Sequence, residues 1–146
     1  MPMIDVIAIE GTFADPHALA QAVAAAVMRI EQVPDIPMFR QNTAGFVHEL
    51  PAGSVADVNG SDAHVRVQVL TNAGALDRDK QVAVVAELTR LVAEAAGDPD
   101  IADLTWVPLT EAPDGGWGLH GQAHTNAELV TAARAEIAAL SADPTA

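Results

Sequence analysis

The chain has 146 residues, half of them hydrophobic, which is enough for one domain with a real core and too apolar for a disordered tail. Its 20 acidic and 7 basic residues give a formal net charge of −13, a surface that repels phosphate backbones and anionic lipid and argues against nucleic-acid or membrane partners. The absence of cysteine excludes disulfides and thiol chemistry. No apolar run approaches the roughly 20 residues of a membrane span, and the basic start and long apolar stretch of a signal peptide are missing, so a cytoplasmic protein is expected.

Residue 2 is proline, directly before a short apolar strand over residues 3–10. Initiator methionine is normally trimmed before a small residue. Trimming here leaves Pro2 as an amino-terminal secondary amine, a base and nucleophile that no internal residue supplies. The strand is apolar at the successive positions Val6, Ile7, Ala8 and Ile9, which predicts burial on both faces. Gly11 ends it. Asp15 followed by Pro16 reads as an N-cap with proline at the first helical position. Leu19, Val23, Ala26, Val27 and Ile30 then recur at helical spacing until Pro34. A less regular segment carries Phe39, Phe46 and Val47 as apolar points and closes on Glu49-Leu50-Pro51-Ala52-Gly53.

The second half repeats that order. His64–Val69 alternates as a strand with one buried face. Thr71-Asn72-Ala73-Gly74 turns the chain, Asp77 caps a helix with an apolar stripe from Val84 to Ala95, and Gly97 suits its end. A strand follows over Leu104–Leu109. Pro34-Asp35-Ile36 recurs as Pro99-Asp100-Ile101, and Glu49-x-Pro51-x-Gly53 recurs as Glu111-x-Pro113-x-Gly115, at nearly equal offsets. One domain over 1–146 is therefore expected, with internal repeats at 2–60 and 63–124. A C-terminal helix over 125–140 follows, opened by the capping box Thr125-x-x-Glu128, and the residues after Leu140 are expected to fray. The predicted class is α/β (α+β): two tandem β-α-β units forming one four-stranded sheet with two helices on one face. The other face is left for self-association.

A duplicated β-α-β unit beginning with Pro2 resembles the tautomerase superfamily. That superfamily includes 4-oxalocrotonate tautomerase, malonate semialdehyde decarboxylase, the cis-3-chloroacrylic acid dehalogenases and the macrophage migration inhibitory factor group. Gly115-Gly116-Trp117-Gly118-Leu119-His120-Gly121 looks like the aromatic-glycine hairpin of 4-oxalocrotonate tautomerase, and Ile9-Glu10-Gly11 matches the end of its first strand. The resemblance covers most of residues 2–124. It implies cofactor-free proton transfer on a small keto or enol acid, with Pro2 as general base, in a homotrimer. Dehalogenase, hydratase or decarboxylase chemistry by the protonated amine is the alternative within the superfamily. A non-catalytic binding or assembly domain is the alternative outside it. Either catalytic role needs an amine that titrates near neutrality, and an apolar wall of Trp117 or Phe39 lowers it by disfavouring the cation.

The arginines that grip a carboxylate in that superfamily are missing at their usual places, where Thr12, Asn72 and Trp106 stand. Arg40 is left as the candidate anchor, and Asn72 as a hydrogen-bond partner for a substrate oxygen. Arg66 falls on the polar face of its strand. His120, inside the glycine hairpin, is a candidate polar partner. His48 lies near the first hairpin, and His17 stands in a first helical turn. His120-x-x-x-His124 has metal-pair spacing, but Gly121 breaks the helix such a pair requires, so no metal is expected.

Overall fold

The computed structural model describes residues 1–142; residues 143–146, where fraying is expected, lie outside the described residues. Strand β1 (Met3–Ile9) leads into helix α1 (Pro16–Glu31), the short helix α2 (Pro37–Gln41) and strand β2 (Ala44–Leu50). The second unit follows as β3 (Val65–Asn72), α3 (Arg78–Ala96), a 3₁₀ helix over Pro99–Leu104, β4 (Thr105–Trp106) and β5 (Leu109–Ala112). A separate hairpin, β6 (Trp117–Leu119) and β7 (Gln122–His124), precedes helix α4 (Asn126–Ala142).

The predicted helix signals are all used. Asp15 accepts from the Ala18 N–H at 2.9 Å and Asp77 from the Lys80 N–H at 2.9 Å, each with its side chain. Gly97 closes α3 in the left-handed conformation. At the end of α1 the same left-handed turn is made by Gln32, at φ 62°. The less regular segment after Pro34 resolves into α2 and a full strand, β2. The predicted fourth strand is split into β4 and β5 around Pro108, which has no N–H to offer the ladder; its carbonyl accepts from the Val69 N–H at 3.1 Å.

The sheet runs β2-β1-β3-β4, with β5 continuing the β4 edge along β3. β1 pairs parallel with β2, and β3 pairs parallel with β4 and β5, while β1 and β3 meet antiparallel. Each unit is thus a β-α-β crossover, and the two are joined head to tail through their first strands. The same contacts recur in both. Glu49 Oε1 accepts from the Gly11 N–H at 3.3 Å, and Glu111 Oε1 accepts from the Gly74 N–H at 3.1 Å. In each unit a carboxylate late in the second parallel strand holds the turn that follows the first.

The sheet has one packed face. Ile4, Val6 and Ala8 of β1 and Val65, Val67 and Val69 of β3 are fully buried against α1 and α3. Burial in β1 alternates, so the expectation of two buried faces is corrected for the single chain: Met3 is exposed, and Asp5, Ile7 and Ile9 are half-buried on the bare side. Register places Phe46, Asp5 and Gln68 in one row across that side, and His48, Ile7, Arg66 and Trp106 in the next. His48 Nε2 lies 2.6 Å from Asp5 Oδ1.

Gly45 sets how closely α1 can lie on β2. A Cβ there would fall inside contact distance of the Ala20 carbonyl oxygen and 2.9 Å from a methyl of Val23. Backbone of a packed helix cannot give way as a side-chain tip can. Gly45→Ala is expected to lower stability by at least about 2 kcal/mol, read as a fall in the urea midpoint with an unchanged slope.

Candidate active site around the amino end

The central position of β1 fixes the amino end. The Pro2 carbonyl accepts from the Ala44 N–H at 3.2 Å, tying it to the start of β2, and the Pro2 ring is fully buried. Met1 is 2% exposed and packs in an apolar cluster with Trp117 and Leu129, bordered by Met38, Phe39 and Leu70. Trp117 comes from the small hairpin, whose two-residue turn is His120-Gly121, both at positive φ (52° and 77°). Leu129 comes from α4, which folds across the mouth of the site.

A cavity of about 480 Å³ opens beside Met1. Phe39 and Asn72 line it, as does Glu31 from the end of α1, and α4 contributes Asn126 and Arg134. Asn126 is held by Asp114, which accepts from its N–H at 2.7 Å, and its side-chain amide donates to the Ala73 carbonyl at 3.0 Å. These bonds seat α4 against the turn that carries Asn72.

The electrostatics centre on Glu31. Its side chain is 6% exposed, and Oε2 accepts from the Met1 ammonium at 3.5 Å. Burial pulls that ammonium below its ordinary pKa, while the charge of Glu31 and its hydrogen bond pull the other way without cancelling the effect. Lys80 Nζ donates to the Glu31 main-chain carbonyl at 3.0 Å. Arg134 forms no salt bridge among the described residues, and Glu31 and Arg134 are the charged side chains lining the cavity.

Of the residues singled out from sequence, the structure gathers Pro2, Phe39, Asn72 and Trp117 around the amino end. Arg40 and His120 stand apart in the single chain. Arg40 lines another hollow with His17, Gln21 and Gly45, and it donates from Nη2 to Asp35 at 2.6 Å on the surface. His120 is exposed at the hairpin turn and borders a smaller hollow with Met38, His124 and Glu136. Arg66 projects from the bare sheet face beside Trp106. Among the described residues no group of three or more His, Asp or Glu side chains could hold a metal ion.

Sequence reasoning missed Glu31 and Arg134. Glu31 left a signal, since it falls four residues after Val27 on the buried stripe of α1, where a carboxylate is out of place. Arg134 left none, because only the packing of α4 over the cavity gives it a role.

No protein-family profile and no curated protein sequence matches this chain. Solved structures do. A member of the cis-3-chloroacrylic acid dehalogenase family superposes with a TM-score of 0.68 at 17% identity, covering 88% of this chain and 89% of its own. A fused 4-OT, an asymmetric trimer, gives 0.69 at 21% identity, covering 87% and 98%. Malonate semialdehyde decarboxylase gives 0.60 at 20% identity, covering 89% and 97%. The chain has the fold of the tautomerase superfamily.

The seating of α4 carries a pH dependence. The Thr125 N–H donates to Glu128 at 2.8 Å and the Thr125 hydroxyl at 3.0 Å, holding that carboxyl below its ordinary 4.5. A depressed carboxyl pKa contributes stability that is complete above the unfolded value and disappears as pH falls through the folded one. The melting temperatures of the wild type and Glu128→Ala should therefore differ at pH 7 and converge as pH falls below the ordinary carboxylate range.

Proposed function

We propose that the chain, trimmed to Pro2, is a cofactor-independent proton-transfer enzyme of the tautomerase superfamily. It moves a proton on a small keto or enol acid, with the Pro2 amine as general base. The observation that carries this reading is the seating of the amino end beside Trp117 and Phe39, at a cavity also lined by Asn72 and Arg134. The dehalogenase, the fused 4-OT and the decarboxylase that share the fold support a reading within this superfamily. The two-unit chain, read as repeats over 2–60 and 63–124, is the arrangement the resemblance implies.

Arg134 is our candidate for the substrate carboxylate. It supplies the free guanidinium that Thr12, Asn72 and Trp106 cannot, while Arg40 is engaged by Asp35 in the single chain. Asn72 offers a neutral hydrogen bond to the carbonyl or enol oxygen. Trp117 and Phe39 keep water from the amine, which lowers its proton affinity towards neutrality. Glu31 favours a second reading in the same superfamily: a carboxylate beside the amine stabilises the ammonium form, which hydratase, dehalogenase or decarboxylase chemistry uses.

The chain carrying Met1 holds the Pro2 nitrogen in an amide, so protein confirmed by intact mass to begin at Pro2 is the active species. It should ketonise phenylenolpyruvate or 2-hydroxymuconate, and a form with one residue before Pro2 should lose at least about 100-fold in kcat. Equal turnover by the two forms would return Pro2 to an ordinary strand-start proline and leave the assembly-domain reading. Arg134→Ala is expected to raise KM roughly ten- to a hundredfold with little change in kcat if the guanidinium grips the ground-state carboxylate.

For assembly we propose a homotrimer built on the bare sheet face. Phe46 and Trp106 are 45% and 55% exposed on that face, flanking β1 and β3, and the fused 4-OT of the same fold is a trimer. Light scattering at micromolar concentration should give three times the chain mass of 15.1 kDa. Phe46→Asp should shift the population towards smaller species.

A further inference from the structure

Glu31 is a buried carboxylate that the proton-transfer scheme does not require. Its side chain is 6% exposed, at the last helical residue of α1, where Gln32 turns left-handed and directs the chain away. Among the described residues, the one hydrogen bond its carboxylate accepts comes from the Met1 ammonium. An ionised carboxylate buried without a counter-charge is costly, and removing one partner of such a pair is strongly destabilising. Trimming Met1 removes that partner and creates another cation next to it. The Pro2 nitrogen is three bonds from the Met1 nitrogen, so it lies within about 7 Å of Glu31, a gap that a rotamer change of Glu31 or one water closes. Pro2 itself cannot wander, because its ring is fully buried and its carbonyl is tied to Ala44.

We propose that Glu31 is the positioning residue of this site: in the chain trimmed to Pro2, its carboxylate is the counter-charge that keeps a proton available on the secondary amine. The inference rests on the Pro2 reading and deepens it. Trp117, Phe39 and Leu129, the apolar residues that enclose Met1 one position before it, would disfavour the charged form of the amine. With burial alone the nitrogen would accept protons poorly and return them too readily. Glu31 opposes burial by favouring the cation, so the amine can take a proton from one substrate atom, hold it as an ammonium beside the carboxylate, and deliver it to another. The proton leaves and returns through the same nitrogen. Among the described residues, the other cations near Glu31 are Lys80 of α3, which donates to its main-chain carbonyl, and Arg134 of α4, which lines the same cavity. Both would lower the proton affinity of the amine, so neither imitates the effect of Glu31.

The test is a titration of the Pro2 nitrogen, read by NMR on protein labelled with nitrogen-15 proline and confirmed by mass to begin at Pro2. Glu31→Gln should lower the Pro2 pKa by about one unit or more, a tenfold loss of proton affinity, and Glu31→Asp should restore most of it. A Pro2 pKa unchanged in Glu31→Gln overturns the proposal. Should Glu31→Gln fail to fold, the wild type still decides: the Pro2 nitrogen and the Glu31 carboxyl carbon must each report the same two coupled steps, and independent titrations overturn the pairing. None of these readings needs substrate. A trimmed protein inert towards enol acids but with a coupled Pro2–Glu31 titration refutes the tautomerase activity and keeps the pairing. An active enzyme with an uncoupled Pro2 does the reverse. Where turnover is present, the limb of the kcat/KM profile that reports the free amine should move down in pH with Glu31→Gln, a shift that a merely structural role would not produce.

Discussion

The site exists because the first strand of the chain is the middle of the sheet. β1 is hydrogen-bonded along both edges, parallel to β2 and antiparallel to β3, and its inward side chains are fully buried. An amino-terminal segment is ordinarily the part of a domain most prone to fray. Here Pro2 is tied to the start of β2 through the Ala44 N–H, and Met1 is buried against Trp117 and Leu129. Parallel pairing of β1 and β2 demands a crossover, which α1 supplies, and α1 can lie close to β2 because position 45 has no side chain. The end of that crossover brings Glu31 back to the strand's beginning. The location of the carboxylate and of the amino end are therefore one geometric fact.

Two opposing demands meet on the amino-terminal nitrogen. A site walled by Trp117 and Leu129 disfavours a cation, while a carboxylate beside it favours one. In the chain bearing Met1 burial prevails and the ammonium pKa is lowered despite Glu31. In a chain with 20 acidic residues, the surface field would repel an anionic substrate. Arg134, which forms no salt bridge among the described residues, places a positive charge at the cavity wall.

The last helix has a role that the β-α-β pattern does not suggest. α4 has weak claims to stability on its own: its buried residues are Leu129 and Ala133, while Val130, Ile137 and Leu140 are largely exposed. It is seated by polar bonds at its start, through Asp114, Asn126 and the Thr125–Glu128 box. By closing over Met1 and Trp117 it turns a shallow end of the sheet into a cavity. Two of its exposed apolar residues, Val130 and Ile137, line that cavity.

Local signals settled much of this in advance. A cap or a turn is decided by a few adjacent residues, so Asp15-Pro16, Asp77, Gly97 and Thr125-x-x-Glu128 could be read directly. The matched glutamates at 49 and 111 were visible as a repeat, although their purpose, holding Gly11 and Gly74, was not. Pro2 and Trp117 were legible because each stands at a position of unusual backbone chemistry, a chain start and a glycine hairpin. The irregular stretch from 34 to 50 did not disclose α2 and β2, since short elements at an edge draw their stability from neighbours rather than from periodicity. Whether β1 was buried on one face or two depended on what covered the sheet, which alternation along a strand cannot state. Arg40 and Arg134 look alike in sequence. What separates them is distance: Asp35 lies five residues from Arg40 and captures it, whereas Arg134 reaches the amino end across more than 130 residues of chain. Composition, caps and repeats are properties of neighbouring residues. The pairing of Glu31 with the amino end and the arrival of Arg134 are properties of the folded path, and only tertiary structure could decide them.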